Sequence, residues 1–368
     1  MSILIFVIML FVLVLVHEFG HFIVAKWAKM RVDEFGFGFP PRAAKLFHKN
    51  GTDYTLNWIP FGGFVKIYGE NGEDLPPAGG ATKAELSESF SHKSKWAQAA
   101  VLIAGVSMNV IAAWVLLSIG LMSGMPTSIG DKLGGRVTGS VLTITQVMPK
   151  SPAQTAGIQV GDVITKLQGG NDTVTVLSPE VLKTFIESHG TGTIAISVTR
   201  AGIAQDIIVT PATGVVGKAP AIGVSMDMIG KLKLGFFESF VYGAQLTGVY
   251  LKHTAQSLGG LFVGLFKGTA DLASVTGPVG LVGVIGDAYQ FGMAYILSLA
   301  ALISINLAII NLLPIPALDG GRLLFVGIEA IIRRPIKQKI SNIVNTVGFF
   351  ALIGLMLVVT VRDVWNLF

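Results

Sequence analysis

The chain of 368 residues contains no cysteine. That excludes a disulfide framework, a thiolate metal site and a cysteine nucleophile. Charge is scarce as well. Asp, Glu, Lys and Arg make up 13% of the residues, against about 25% in soluble domains. The stretch from Ser2 to Val16 carries no charge at all. With 51% hydrophobic residues and a mean hydropathy of +0.66, a wholly soluble protein is excluded. The formal net charge of +5 is spread over loops, so no nucleic-acid-binding patch is read from it. A secretory leader is poorly matched: no basic segment precedes the first apolar run, and no small-x-small cleavage pattern follows it. The run reads as a retained membrane span.

What is present is four apolar stretches long enough to cross a bilayer, at about 2–25, 97–122, 292–313 and 343–361. A fifth patch, "SLGGLFVGLF" at 257–266, is too short and reads as an interfacial or re-entrant helix. The fold class expected is a polytopic α-helical membrane protein with one mostly β domain. Basic residues set the orientation. Residues 1–16 have no Lys or Arg, whereas the loop after the first span holds Lys26, Lys29, Arg31, Arg42, Lys45 and Lys49. The loop after the third span holds Arg322, Arg333, Arg334, Lys337 and Lys339. Both loops are expected in the cytoplasm, with both termini and the long segment 123–291 outside. The chain divides into a membrane part (1–122), a β domain (137–230), a membrane-surface region (231–291) and a second membrane part (292–368).

Against that oily background, "LVHEFGHFIVA" at 15–25 stands out. Two histidines four residues apart on a helix share one face, one turn apart. They can bind one Zn²⁺, with the glutamate beside the first acting on the metal-bound water as general base. Ionisable groups inside a span are costly and point to function. At about 1.5 Å per residue, the fifteen residues before His17 span roughly 22 Å of a ~30 Å core. His17, Glu18 and His21 then lie toward the cytoplasmic side.

A catalytic zinc takes a third protein ligand and keeps one position open. Two carboxylates lie at matching depth: Asp319 in "NLLPIPALDGGR", and Glu329. Pro314 and Pro316 break the helix before Asp319 and free backbone groups. Irregular backbone at that depth is tolerated only where it is buried or lines a watery cavity. Asp271, Asp287, Asp363 and His253 fall on the outer side by this topology.

Further segments have their own signatures. "DYTLNWIPFGGFVKIYGE" at 53–70 is aromatic and β-branched with a Pro-x-Gly-Gly turn, and reads as a hairpin or membrane-dipping loop. Residues 75–92 are rich in Pro, Gly, Ser and Thr and read as a mobile stretch. "VLTITQV" alternates as a strand. "SPAQTAGIQVGDVITKLQGG" reads as turn, short helix and strand, and "SPEVLKTFIES" as a helix with Ser178 as N-cap. "TIAISVTRAGIAQDIIVTP" reads as a strand pair around a glycine turn. Residues 231–256 mix Lys with Phe and Tyr and read as amphipathic, lying on the outer membrane surface.

"HEFGH" in the first span, "NLLPIPALDGG" after the third and a module outside together resemble the site-2 protease family of intramembrane zinc metalloproteases (peptidase M50). The likeness covers the whole chain and is strongest to the bacterial RseP/RasP-like branch. It implies that His17, His21 and Asp319 hold Zn²⁺, that Glu18 is the catalytic base, and that Asn311 holds substrate backbone. It also implies that Gly62, Gly63, Phe64 and Val65, in "GGFVK", belong to a membrane-dipping β-loop, and that "GPVGLVG" at 277–283 is the family's glycine-rich stretch. The β module resembles a single, circularly permuted PDZ domain, with Ile222, Gly223 and Val224 as its carboxylate-binding loop. The implied activity is regulated intramembrane proteolysis in a bacterial inner membrane, of transmembrane substrates such as anti-sigma factors or signal-peptide remnants. Membrane lipid is the other partner. The competing class is a PDZ-bearing membrane adaptor with a structural zinc, which would leave Glu18 without a role.

Overall fold

The computed structural model describes residues 2–70, 82–128, 136–200, 202–268, 277–290 and 292–365. In chain order the elements are α1 (Ser2–Trp27), β1 (Val32–Lys49), β2 (Thr52–Ile67), α2 (Lys83–Glu88), α3 (Lys95–Ser123), β3 (Met125–Ser128), β4 (Thr138–Val147) and α4 (Pro152–Thr155). They continue with β5 (Val163–Gly169), β6 (Asp172–Val174), α5 (Pro179–His189), β7 (Ile194–Arg200), β8 (Ile203–Val209), β9 (Ala212–Val216), β10 (Ala219–Ala221) and β11 (Val224–Leu232). The last are α6 (Phe236–Lys267), α7 (Pro278–Gln290), α8 (Met293–Leu312), α9 (Asp319–Ile332) and α10 (Gln338–Trp365). Two compact units result. The first holds Met1–Ser118, Phe240–Ile285 and Ser298–Phe368; the second holds Ile119–Ser239 and Gly286–Leu297.

Four helices among the described residues are long and apolar enough to cross a membrane: α1, α3, α8 and Lys339–Trp365 of α10. The chain is a polytopic membrane protein with a β domain. In the first unit, α1 shows how a span can be sided without being amphipathic in composition. Of its buried residues, Met9, Leu13, His17, His21 and Ala25 recur every four positions, and Gly20 lies beside them, which is one face of a helix. Leu4, Ile8, Val12, Phe19, Ile23 and Trp27 face outward. The histidines therefore occupy positions of the inward stripe. Met9 and Leu13 pack with Ile285, Ala300 and Ile303, while Ala25 packs with Met30, Val101 and Leu102.

The segment after α1 differs from expectation. Residues 52–67 form one strand, and the partner is β1, so the hairpin turn lies at Asn50-Gly51 and not at Pro60-x-Gly-Gly. Asn50 and Gly51 both have positive φ (52° and 74°), the conformation that a two-residue hairpin turn needs and that Asn-Gly adopts readily. Both strands are long and curl on themselves. Gly36 and Phe37 pair with Phe64 and Gly63 on one side and with Thr55 and Leu56 on the other. Four segments thus lie side by side: 42–49, 52–57, 34–37 and 63–67. The last is an edge, with no strand on its outer side among the described residues.

Two other expectations change. Residues 75–81 lie outside the described residues, but 82–92 are ordered. Thr82 caps α2 in a reciprocal capping box with Glu85, the Thr-x-x-Glu signature of a helix start. The apolar patch 257–266 is not a separate short helix. It is the end of α6, a 32-residue helix that begins at Phe236. No proline interrupts 236–267, so the helix pattern runs through the change in polarity. Residues 231 and 232 end strand β11 instead of starting a surface helix.

In the second unit the strand order is β3-β11-β4-β5-β7-β8, with β6 on β5. Alternation builds its core: Ile194, Ile196 and Val198 of β7 point inward with Ile207 and Val209 of β8, against Leu182, Phe185 and Ile186 of α5. Ser178 caps α5, accepting the Val181 N–H. The charged Asp162 is fully buried and is held by Arg200, Nε to Oδ1 at 2.7 Å. Those hydrogen bonds push the Arg200 guanidinium above its ordinary range.

Candidate metal centre

Three side chains from two helices meet inside the first unit. His17 and His21 come from the inward face of α1, and Asp319 is the first residue of α9. The break before α9 makes this meeting possible. α8 ends at Leu312, and residues 313–318 turn without regular helix: Ala317 has φ 73° and donates its N–H to Asn345 Oδ1 at 3.3 Å. The chain re-enters a helix at Asp319, so its carboxylate sits at a helix start beside α1.

The three donors converge. His17 Nε2 is 3.0 Å and His21 Nε2 is 3.3 Å from Asp319 Oδ2, and the two Nε2 atoms are 3.2 Å apart. Donors held at about 2.0–2.2 Å in a tetrahedral zinc site stand roughly 3.3–3.6 Å apart, so this triangle is a few tenths of an ångström smaller than one face of such a site. Among the described residues this is the group of His, Cys, Asp and Glu that can hold a metal ion. Asp319 Oδ2 is buried and otherwise without a hydrogen-bond donor, an uncompensated position for a carboxylate unless a cation neutralises it. Two nitrogens and one oxygen, with no sulfur, suit zinc with an open fourth position. The residues present fit the ion.

α3 supplies the wall behind the histidines. His21 Nδ1 lies 2.8 Å from the Val101 carbonyl, and His17 Nδ1 lies 3.1 Å from Asn109 Nδ2. Between them, a side chain at Gly105 would overlap both imidazoles. One turn along α1, a Cβ on Gly20 would come to 2.5 Å from the Ala104 carbonyl oxygen. Glycine at both positions lets α1 and α3 approach closely, as small residues do between membrane helices.

The open side faces a cavity of about 490 Å³ lined by Glu18, His21, Asp319 and the edge segment Phe64–Ile67. Arg322, one turn after Asp319, pairs with Glu70 at the same cavity. Of the residues expected at the site, Glu18, His21, Asp319, Phe64 and Val65 line this cavity, and His17 joins through the metal triangle. Gly63 lies beside Glu18: a Cβ there would sit 3.9 Å from Glu18 Cγ. Gly62 backs onto Val14. Asn311 is half-buried near the end of α8 and is not among the lining residues. The rival carboxylate Glu329 is engaged elsewhere, with Lys95 Nζ at 2.5 Å and the Ile336 N–H at 2.8 Å. Asp363 accepts the Gly280 N–H at 2.9 Å, and His253 is exposed on α6. Asp271 lies outside the described residues. The sequence gives no sign of the α3 wall, because a carbonyl, a glycine and one asparagine leave no metal-ligand pattern.

The second unit holds a different groove, about 450 Å³, between α5 and the start of β11. Ile222, Gly223 and Val224 line it together with Lys183 and Ile186. Gly223 has φ 80°, and its carbonyl accepts the Met148 N–H at 2.9 Å.

Sequence comparison agrees with this arrangement. The model of Peptidase family M50 matches residues 5–355. The zinc metalloprotease RasP of Oceanobacillus iheyensis is 31% identical, over 99% of this chain and 98% of the relative. A putative zinc metalloprotease of Fusobacterium nucleatum is 31% identical over the full length of both chains. One from Clostridium perfringens is 33% identical over 96% of this chain and 95% of its own.

Proposed function

Since the chain belongs to peptidase family M50 and is a membrane zinc metalloprotease with a His17–His21–Asp319 metal group, we propose that it cuts peptide bonds of transmembrane proteins, with Glu18 as general base. The observation that carries this reading is the cavity in which Glu18, His21 and Asp319 face the edge of β2. Zinc, when bound there, lowers the pKa of a coordinated water to about 7 and polarises a carbonyl. Glu18 follows His17 directly on α1, so it opens into the cavity beside the ligands without being one. Its carboxylate takes the proton of the attacking water and hands it to the leaving amine.

A substrate helix hides its carbonyls in its own hydrogen bonds and must be drawn out to be cut. The edge at 63–67, with no strand on its outer side among the described residues, offers backbone groups to an extended segment, as in other β-strand additions. Phe64 and Val65 line the cavity, so a segment added there lies over the metal group. Gly63 keeps that edge close to Glu18. Asn311, near the end of α8, is the residue that the family resemblance assigns to holding substrate backbone.

The β domain reads as a permuted PDZ module. Its groove, lined by α5 and the start of β11, would accept an added strand, with Ile222–Val224 as the loop that would take a carboxylate. It lies outside the chemistry and screens or docks substrates. The orientation that follows from the basic loops puts both termini and this domain outside, with the metal group toward the cytoplasm. The exposed Trp27 and Trp96, at the ends of α1 and α3 that flank the β-hairpin, suit an interface at that level. A structural zinc, as in an adaptor, is closed by four protein ligands, whereas three converge among the described residues and an acid lies beside them.

The test is Glu18→Gln in the full chain, reconstituted with a single-span substrate. Loss of cleavage by about 10²-fold or more, the range of a general base, with zinc still bound, is the expected result. Equal turnover by both proteins would remove the protease reading.

A further inference from the structure

A histidine that binds a metal through Nε2 must carry its proton on Nδ1, and that proton needs an acceptor. For His21 the acceptor is visible and fixed: Nδ1 lies 2.8 Å from the Val101 carbonyl oxygen. A backbone carbonyl can only accept, so His21 is held with Nε2 free for the ion. His17 has the same demand, and its Nδ1 meets a side chain, Asn109, at 3.1 Å.

Asn109 is fully buried. Its amide nitrogen and oxygen are exchanged by a half-turn about one bond, and the two atoms are nearly indistinguishable in shape. With Nδ2 toward the ring, the amide donates to Nδ1. The proton then sits on His17 Nε2, the atom that lies 3.0 Å from Asp319 Oδ2. That tautomer cannot bind a metal through Nε2. With Oδ1 toward the ring, His17 Nδ1–H donates and Nε2 is free. Among the described residues nothing else claims Oδ1, which is buried without a donor. The backbone at this position is anchored independently: Ser304 Oγ donates to the Asn109 carbonyl at 2.8 Å.

We propose that Asn109 is a positioning residue of the metal centre, its Oδ1 accepting the His17 Nδ1–H and so keeping Nε2 as a zinc donor. Val101, Gly105 and Asn109 recur every four residues and form one face of α3. The carbonyl of Val101 and the amide of Asn109 orient the two imidazoles, and the missing side chain of Gly105 makes room for both. One span supplies the base and two ligands; a second span, with no ligand, fixes their tautomers.

The inference rests on the metal-centre assignment, and zinc affinity tests the two separately. Full-length wild type, Asn109→Leu, Asn109→Asp and Ser304→Ala are titrated with zinc against a chelating dye in detergent. Leucine keeps the bulk and removes the acceptor, so Asn109→Leu is expected to bind zinc about 10- to 100-fold more weakly, the usual cost of losing such a partner. Aspartate keeps an acceptor oxygen and has no donor, so Asn109→Asp is expected to stay near wild type. Ser304→Ala touches only the backbone contact and leaves the affinity unchanged. Wild-type affinity in Asn109→Leu, or an Asn109→Asp affinity nearer to that of Asn109→Leu than to wild type, overturns the proposal. A wild type that takes up no zinc removes the metal centre itself and not merely the role of Asn109.

Discussion

The inward face of α1 and the core of the β domain are both stripes of buried side chains, yet they bury different chemistry. Along α1 the stripe runs Met9, Leu13, His17, His21, Ala25. Along β7 it runs Ile194, Ile196, Val198. In the β domain the fully buried carboxylate Asp162 is answered by Arg200 within the same unit. At the α1 site the carboxylate Asp319 is answered by two imidazoles, and among the described residues its Oδ2 has no other donor. The lesson is that the β domain is closed by its own residues, whereas the α1 site is completed by an ion.

That contrast can be broken in graded steps. The largest effect is expected from Gly105→Ala, whose new methyl would overlap both imidazoles. Backbone on two packed spans cannot retreat easily, so zinc should be lost and cleavage with it, while the β domain keeps its protection. Hydrogen exchange of the β5 and β7 amides together with metal analysis reads both. Retained zinc in that variant would mean that α3 does not wall the site.

Next comes Leu167→Ala, at a side chain with no exposed surface in the β core. Large-to-small core changes cost about 2–5 kcal/mol. Exchange protection should fall across the β domain, and zinc content should not change. Parallel loss of zinc would show that the site depends on that domain. Asp162→Ala belongs with it: removing one partner of a buried pair costs about 3–5 kcal/mol, again without touching the metal. The smallest effect is Ser178→Ala. It removes the cap that accepts the Val181 N–H and should cost about 1 kcal/mol, seen as faster exchange at the start of α5 alone.

Legibility in the sequence followed the same division. The four spans were visible as uninterrupted apolar runs, and the histidine pair was visible because metal chemistry demands its spacing on a helix. Depth alone leaves two carboxylates, and the family resemblance picks Asp319. The fold agrees, tying Glu329 to Lys95. The hairpin turn is easily misread from sequence, because the Pro60-Phe61-Gly62-Gly63 stretch looks like a turn while the actual turn, Asn50-Gly51, sits in a polar, basic run. Thr82–Glu85 is a capping signal hidden in a low-complexity stretch. α6 was split at a change in polarity that a continuous helix ignores. Asn109 was invisible for a physical reason: a single amide in an apolar span carries no pattern, and its meaning comes from the imidazole opposite.

The central claim is that His17, His21 and Asp319 hold one zinc and that Glu18 works beside it without binding it. Metal content of purified wild type, Asp319→Ala, Glu329→Ala and Glu18→Gln tests this most directly. The account predicts zinc in the wild type, in Glu329→Ala and in Glu18→Gln, with clear depletion in Asp319→Ala, since a three-ligand site loses one of its donors. Full zinc in Asp319→Ala with depletion in Glu329→Ala or Glu18→Gln would contradict it.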